Sequence, residues 1–250
     1  MRADFIPATG RLSFVSLSIP GMAILDGVAW ARYRTEDGLL HQVDLVGTDC
    51  TYKEERLSDV HGAGSQQVIR LLVSRLGIEL IYRLNRYDDH PFILFQMVLQ
   101  NLAARPIYLQ EVCLFQADPA QGGRIQVPGE AHAWRFFRVG WHSWDYTGVC
   151  MAHEHQPSSW LDSFSRSSYS NPATPRSRTR GNFCSEGWGI LANDRAAVIA
   201  GFASTARQFG QVYTCLRSRE EALSLVAQAD GIRLDADDTF TSEWAYLQFI

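Results

Sequence analysis

The chain has 250 residues, of which 46% are hydrophobic, 12% aromatic and 20% charged, and its formal net charge is −4. This composition is typical of an ordered globular chain, and the aromatic content favours sheet over helix. The acidic balance argues against nucleic acid or an anionic membrane as the main partner.

The cysteines and the amino-terminal segment indicate the cellular compartment of the protein. The five cysteines are scattered, odd in number and without a Cys-x-x-Cys spacing, which argues against a disulfide framework or a zinc site. They are Cys50, Cys113, Cys150, Cys184 and Cys215. The chain begins without a signal-peptide core and has no apolar run of membrane-spanning length, so we expect a cytoplasmic protein. Phosphate-binding and dinucleotide motifs are missing from the sequence, and no cofactor is expected.

The first third of the chain shows short apolar runs separated by turn residues. Leu12, Phe14, Leu17 and Ile19 fall at two-residue spacing within one such run. Strands are predicted over residues 11–19, 28–34, 42–46 and 51–57. The last of these ends before a turn signal at Gly62-Ala63-Gly64.

The middle of the chain has the clearest periodicity. Ile78, Leu80, Tyr82 and Leu84 alternate with mainly polar residues, which predicts a half-buried strand. Residues 92–99 are apolar on both faces, as in a central strand covered on both sides. After a further turn, residues 107–115 are predicted to return antiparallel to it.

The last hundred residues begin with a segment that has no periodicity. Residues 151–180 are rich in Ser, Pro, Thr and Arg and predict a long irregular loop. Strands are predicted over residues 187–191, 196–202, 208–215, 222–229 and 240–249. Residues 218–221 also resemble a helical capping box, but alternation after them and the turn signal Asp230-Gly231 favour a strand and a hairpin.

Together these elements predict an all-β protein with little helix. Its strands form one large antiparallel β-supersandwich domain over residues 1–250, with roughly 14 to 18 strands.

One segment of ten residues, 139–148, differs from the rest and is called the aromatic loop below. It carries Trp141, Trp144 and Tyr146 together with His142 and Asp145, and a glycine lies near each end. Glycines with Ser, Asp and Thr between the rings are typical of a loop. Aromatic faces beside short polar groups suit a sugar, which has an apolar C–H face and a belt of hydroxyls. The alternative is a packed corner in which the tryptophans belong to the core.

The aromatic loop also carries a family resemblance. Gly140-Trp141-His142-Ser143-Trp144 resembles the Gly-Trp-Gln-Ser-Trp-Ser signature in the amino-terminal domain of family 36 glycoside hydrolases, the α-galactosidase and raffinose synthase group. Residues 87–93 and 100–107 are similar to paired strands of that domain, and residues 236–244 to its last strand. The resemblance covers roughly residues 10–250 and is most specific in the aromatic loop.

This resemblance implies a galactose mutarotase-like supersandwich without catalytic residues of its own. In the family both catalytic aspartates belong to a (β/α)8 barrel, which this chain does not contain. The implied substrate-binding residues are Trp141 and Trp144 as stacking rings, His142 and Asp145 as hydroxyl partners, and Tyr146 as an outer wall. His142 stands where the family usually has Gln, and Asp145 where it usually has Ser.

The partners that the resemblance implies are the catalytic barrel, a galactoside or other carbohydrate, and further copies of the chain in a homo-oligomer. By itself the chain is expected to be inactive and to bind galactose weakly.

Other functions are open at the level of sequence. Asp145 and Asp162 flank the loop as a candidate acid pair, although loop aspartates usually bond nearby backbone. His153 and His155 with His142 give a candidate metal site, but two-residue spacing in a polar loop is weak support and no metal is expected.

Two further alternatives concern the whole domain. An aldose 1-epimerase-like enzyme needs a His acid and a Glu base. The residues that would have to converge are His90 or His142 with Glu79, Glu111 or Glu186. A stand-alone carbohydrate-binding module needs the aromatic loop alone.

Overall fold

A computed structural model describes residues 1–16, 19, 23–46, 49–129, 133–140, 145–157 and 179–250. Within these ranges the chain forms nineteen strands and one short 3-10 helix, Pro119–Gln121. The strands are β1 (Arg2–Ile6), β2 (Arg11–Val15), β3 (Ile24–Thr35), β4 (Leu40–Asp44), β5 (Cys50–Asp59), β6 (Gly62–Val73), β7 (Ile78–Tyr87), β8 (Phe92–Asn101), β9 (Ile107–Ala117), β10 (Arg124–Gln126), β11 (Arg135–Arg138), β12 (Gly148–Met151), β13 (Asn182–Glu186), β14 (Trp188–Ala192), β15 (Ala197–Phe202), β16 (Phe209–Cys215), β17 (Ala222–Leu234), β18 (Thr239–Thr241) and β19 (Ala245–Phe249).

The strands form two antiparallel sheets. The nine-stranded sheet has the order β1-β2-β3-β9-β17-β16-β13, with β4 and β10 also paired to β3. The ten-stranded sheet has the order β12-β11-β14-β15-β19-β8-β7-β6-β5, with β18 also paired to β8. The prediction of an all-β antiparallel sandwich is confirmed, and the described strands exceed the expected number by one.

The two sheets pack face to face over one hydrophobic core. Phe14 of the nine-stranded sheet stacks on Phe95 of the ten-stranded sheet, with ring centroids 5.7 Å apart. Tyr82 donates its hydroxyl across the core to the Leu114 carbonyl at 2.9 Å, and burial raises its pKa well above the ordinary value. A buried phenol needs such a partner, and here it joins the two layers.

Strands β7 and β8 show why the sequence pattern was informative. Leu80, Tyr82 and Leu84 are buried in the core as predicted from their alternation. On β8 the outward residues Leu94, Gln96 and Val98 are also buried, and Gln96 there donates to the Ser242 carbonyl at 2.8 Å and accepts from Arg83. This confirms a central strand that is covered on both faces.

Three local predictions were wrong. The turn was predicted at Gly62-Ala63-Gly64, but these residues begin β6. The β5–β6 turn is formed by the two residues before them, Val60 and His61. Asp230 and Gly231 adopt positive φ angles of 52° and 74°, but they form a bulge within β17 instead of a hairpin turn. The predicted strand over residues 240–249 is divided into β18 and β19.

The predicted irregular segment over residues 151–180 is only partly described. Residues 152–157 form a turn and a stretch without regular secondary structure after β12, and residues 158–178 lie outside the described ranges.

Candidate functional site

The aromatic loop connects β11 to β12, whose pairing closes with Arg138 opposite Gly148. Of its described residues, 139, 140 and 145–147 are outside any strand, so the loop prediction is confirmed for them, whereas Gly148 is the first residue of β12. Trp141, His142 and Trp144 lie outside the described residues. Asp145 and Tyr146 are therefore the predicted site residues whose surroundings the structure gives.

Arg138 supports the base of the loop and was missed by sequence reasoning. Its side chain is 1% exposed, and its Nε donates to the Cys184 carbonyl at 2.8 Å. Its terminal nitrogens donate to the Pro157 carbonyl and to Asp145 Oδ2, each at 3.3 Å. One buried guanidinium thus joins β13, the segment after β12 and the loop itself.

Asp145 faces the protein rather than bulk solvent. Its Oδ2 accepts from Arg138 and its Oδ1 accepts from the Tyr146 backbone N–H at 2.7 Å, with the side chain 11% exposed. Gly140 allows this packing, since a Cβ there would lie 2.6 Å from the Asp145 Cβ. Each carboxylate oxygen has a second lone pair, so the group can still accept from a ligand hydroxyl.

Tyr146 lies at the outer side of the loop with 36% of its surface exposed. Its hydroxyl donates to the Val149 carbonyl at 2.9 Å, and partial desolvation raises its pKa above the ordinary value. A Cβ at Gly148 would lie 2.7 Å from that hydroxyl, so the glycine leaves room for the ring. The ring therefore has a fixed orientation and an accessible surface.

The loop is also bonded to the opposite sheet. Val139 donates its backbone N–H to Ser185 Oγ at 2.7 Å, and its carbonyl accepts from the Glu186 N–H at 2.9 Å. Ser185 and Glu186 belong to β13 of the nine-stranded sheet, whereas β11 belongs to the ten-stranded sheet. The loop base is consequently held by both layers of the sandwich.

The candidate metal site and the candidate acid pair each include a residue outside the described ranges, His142 and Asp162 respectively. His155 Nε2 contacts Arg180 Nε at 3.2 Å, and Glu154 accepts from the Met151 N–H at 2.7 Å. Among described residues no group of three or more His, Cys, Asp or Glu side chains is arranged to hold a metal. Asp162, the proposed partner of Asp145, lies outside these ranges.

Of the residues named for an epimerase-like site, His142 lies outside the described ranges and Glu79 and His90 are apart. Glu79 is at the start of β7 and His90 follows its end, so about 25 Å of strand separates them. Glu111 lies in the nine-stranded sheet and is paired with Arg32 at 3.0 Å. Glu186 is buried at the end of β13 in the same sheet. Glu79 and His90 therefore do not form the acid and base of such a site.

Beside the loop, the outer surface of the ten-stranded sheet carries a group of apolar side chains next to the exposed Arg135, which is paired with Met151. Phe137 lies opposite Val149 and Ile190 in the register, and its ring lies 5.6 Å from that of Trp188. Val149 is 46% exposed, Met151 40% and Trp188 38%. We call Phe137, Val149, Met151, Trp188 and Ile190 the apolar face. Such a cluster is typical of an interaction surface.

No helix in the described part of the chain has the length and hydropathy of a membrane-spanning segment.

Two packed antiparallel sheets with a loop bonded to both define a large β-sandwich domain. No protein-family model and no curated protein sequence matches the chain. Among solved structures, the α-galactosidase of Lactobacillus brevis matches with a TM-score of 0.56 and 11% identity, over 88% of this chain and 28% of that enzyme.

Two further solved structures cover the whole chain. The family 36 α-galactosidase AgaB of Geobacillus stearothermophilus matches with a TM-score of 0.56 and 9% identity, over 41% of its own length. The galactosidase domain of the α-galactosidase–sucrose kinase AgaSK matches with a TM-score of 0.60 and 8% identity, over 42% of its length. The resemblance to family 36 enzymes is confirmed at the level of fold. The chain spans less than half of each of these proteins.

Proposed function

We propose that this chain is a non-catalytic, amino-terminal type of domain of an α-galactosidase-like glycoside hydrolase. The observation that carries the proposal is coverage: the fold matches 88% to 100% of this chain but only 28% to 42% of the three enzymes. The part of those enzymes outside the match would correspond to the catalytic unit that this domain supports. The catalytic carboxylates would then belong to a separate barrel.

The apolar face supports a role in holding that barrel. Val149 and Met151 on the edge strand β12, and Trp188 on β14 two strands further in, expose large side chains in the sheet that carries the aromatic loop. Burying such a patch contributes roughly 25 cal/mol for each Å² of apolar surface removed from water. A barrel docked there would lie next to the loop.

The aromatic loop supports a role in galactoside recognition. Arg138 holds Asp145 in place, and Tyr146 presents a ring of fixed orientation beside it. In the proposal Trp141 and Trp144 stack on the sugar, with His142 and Asp145 binding its hydroxyls. Two stacked rings and two bonded hydroxyls, each contributing on the order of 1 kcal/mol, together correspond to about millimolar affinity of the isolated chain for galactose.

The test is turnover of an aryl α-galactoside by the purified chain, alone and mixed with a family 36 barrel that lacks its own sandwich domain. We expect no turnover by the chain alone and an increase in activity or stability of the barrel on mixing. Turnover by the chain alone that is lost in Asp145→Asn would show that the catalytic groups are in this domain and would overturn the proposal.

A stand-alone carbohydrate-binding module is the second candidate. The observation that favours it is that the loop base is bonded to both sheets within this chain, without help from another domain. Galactose titration of the chain, followed by tryptophan fluorescence, distinguishes the two. Micromolar binding with no effect of added barrel favours the module, whereas millimolar binding that tightens with the barrel favours the enzyme domain.

A further inference from the structure

A second candidate site is a cleft between the two sheets that includes no residue of the aromatic loop. Its volume is about 580 Å³, within the range of about 300 to 1,000 Å³ that is usual for small-molecule sites. Its walls are the β3–β4 turn of the nine-stranded sheet, the β6–β7 turn of the ten-stranded sheet and the segment that joins β8 to β9. Residues of both layers therefore face one space at this end of the sandwich.

Hydrogen bonds fix two of these walls in place. Asn101, which is fully buried, donates its amide to the Arg105 carbonyl at 2.9 Å and accepts from the Ala103 N–H at 3.1 Å. Leu102 donates its N–H to the Gly77 carbonyl at 2.7 Å, which joins the β8–β9 segment to the β6–β7 turn. The two walls are thus formed before a ligand binds, so little conformational entropy is lost on binding.

Tyr33 is the most buried polar residue of the cleft, at 2% exposure, and its hydroxyl has no hydrogen-bond partner among the described residues. Its ring is stacked on His41 of the neighbouring strand, with centroids 5.3 Å apart. The hydroxyl is not one of the unpaired atoms that are sealed from solvent, so it keeps an accessible surface in the cleft. Burial raises the pKa of the phenol, which keeps its proton available for donation. A buried phenol normally has a partner, so this one indicates a ligand that accepts a hydrogen bond.

Arg75 and Arg105 bring two guanidinium groups to the cleft from two of its walls. Both residues are exposed, and neither side chain forms an ion pair or a hydrogen bond with a described residue. Arg75 is close enough to Tyr33 for its charge to oppose the effect of burial on the pKa of the phenol. A guanidinium with free N–H groups binds a carboxylate through two parallel hydrogen bonds. The donors around Tyr33 therefore match an anionic acceptor.

Two acidic side chains limit how much negative charge the cleft accepts. Asp37 accepts from the Thr35 hydroxyl and from the Leu39 N–H, so its carboxylate is bonded within the β3–β4 turn. Glu36 lies beside it in the sequence and is exposed. Because both carboxylates repel a second negative charge, a singly charged carboxylate suits the cleft better than a doubly charged phosphate.

The remaining lining of the cleft is apolar. It consists of Leu39, Leu76, Ala103, Ala104, Pro106 and Ile107. A carboxylate held at Tyr33 leaves the rest of its molecule against these side chains, where burial of apolar surface adds to binding. A bare anion such as acetate gains nothing from them.

We propose that this cleft binds a small monocarboxylic acid with an apolar body, whose carboxylate is bonded by Tyr33, Arg75 and Arg105. The proposal requires no catalytic barrel and no residue of the aromatic loop. It is therefore independent of the proposed function, and either can fail without the other.

The test is a calorimetric titration of the 250-residue chain with 4-phenylbutyrate and with three reference compounds. 4-Phenylbutyramide has the same body without the charge, acetate has the charge without the body, and phenyl phosphate carries a second charge. We expect 4-phenylbutyrate to bind more tightly than each of them, and the amide to bind roughly tenfold more weakly because it loses the charge-assisted hydrogen bonds. Equal or tighter binding of any reference compound would overturn the ligand class, as would the absence of binding by all four.

Tyr33→Phe tests the assigned contact, and Tyr82→Phe is its matched control. Both remove a buried phenol hydroxyl, but that of Tyr82 donates to the Leu114 carbonyl, whereas that of Tyr33 has no partner among the described residues. Tyr33→Phe should weaken binding of 4-phenylbutyrate by roughly fivefold, the effect of one hydrogen bond, without lowering the midpoint of urea unfolding. Tyr82→Phe should lower that midpoint and leave the affinity unchanged.

Arginine variants test the other two contacts. Arg75→Gln and Arg105→Gln should each weaken binding of 4-phenylbutyrate by roughly tenfold, the effect of a hydrogen bond to a charged group. Arg56→Gln, which removes an exposed arginine of β5 that is paired with Asp88, should leave the affinity unchanged. If Tyr33→Phe binds as tightly as the wild type, or if Arg56→Gln loses as much affinity as the two cleft variants, the ligand lies elsewhere and the assignment is wrong.

Discussion

Arg138 and Asp145 form an ion pair of 3.3 Å in which the arginine is 1% exposed and the aspartate 11% exposed. Two backbone carbonyls accept from the same guanidinium, so its desolvation is offset by three partners rather than one. The pair joins the last residue of β11 to the aromatic loop seven positions later. The orientation of the loop is therefore coupled to the packing of the sandwich.

The first prediction concerns this ion pair. Asp145→Ala leaves the buried guanidinium without its counter-charge and should lower the free energy of unfolding by about 3 kcal/mol. Tyr146→Phe, which removes one exposed hydrogen bond from the same loop, should cost less than about 1 kcal/mol. Urea denaturation followed by fluorescence measures both values.

A double-mutant cycle with Arg138→Met separates the pair from its surroundings. We expect Asp145→Ala to be much less costly once Arg138 is replaced, because the unpaired charge is gone. Strictly additive losses would mean that the two side chains do not interact energetically.

The second prediction concerns alkaline stability. Burial raises the pKa of the Cys150 thiol to about 11, with Glu154 adding to the shift and Arg138 opposing it. Because the folded pKa lies above the unfolded value near 9, the neutral thiol stabilises the fold below pH 9, and this contribution is lost as pH rises through about 11. The loss is on the order of 2 kcal/mol.

Thermal denaturation of the wild type and Cys150→Ala between pH 8 and pH 11 checks this. The variant should lose stability less steeply over that range than the wild type. Cys215→Ala replaces a half-buried thiol outside the core and serves as the control. Parallel curves for all three proteins would show that the Cys150 thiol does not contribute to alkaline unfolding.

The sequence predicted the sandwich because a strand that is buried on one face must alternate. Leu80, Tyr82 and Leu84 show this alternation, and the structure buries all three. The same rule does not predict that Arg138 is buried. Arg138 occupies an inward position two residues after Phe136, but arginine is the residue type of an exposed position. Its three partners lie 7, 19 and 46 residues away, in a loop and in two later segments, so the alternation of a strand cannot indicate them.

Turn signals were less reliable, because glycine permits several backbone conformations. Asp230 and Gly231 have the positive φ angles of a hairpin turn, yet both arms of β17 pair with the same neighbour, β9. Which conformation forms is decided by that pairing. Likewise, the composition of residues 139–148 predicted a loop, but not that it would be bonded to both sheets.

The third prediction tests the apolar face. Val149→Lys should change the stability of the isolated chain by less than about 0.5 kcal/mol, because Val149 is 46% exposed. In an enzyme that carries the barrel, the same substitution should weaken association or lower Tm, because a charge would be buried in the interface. Val60→Lys is the matched control, since Val60 is 95% exposed at the β5–β6 turn. If both variants behave alike with the barrel present, the barrel docks elsewhere.

The last prediction concerns Trp141 and Trp144, the stacking residues of the proposed galactoside site. Trp141→Ala and Trp144→Ala, made in a protein that carries the catalytic barrel, should each raise KM for an aryl α-galactoside by roughly five- to tenfold, the effect of losing one stacked ring. Tyr52→Ala removes an exposed aromatic ring of β5 and should leave KM unchanged. Large losses of Tm with wild-type KM in both tryptophan variants would instead identify the rings as packing residues, and the sugar site would have to be sought elsewhere.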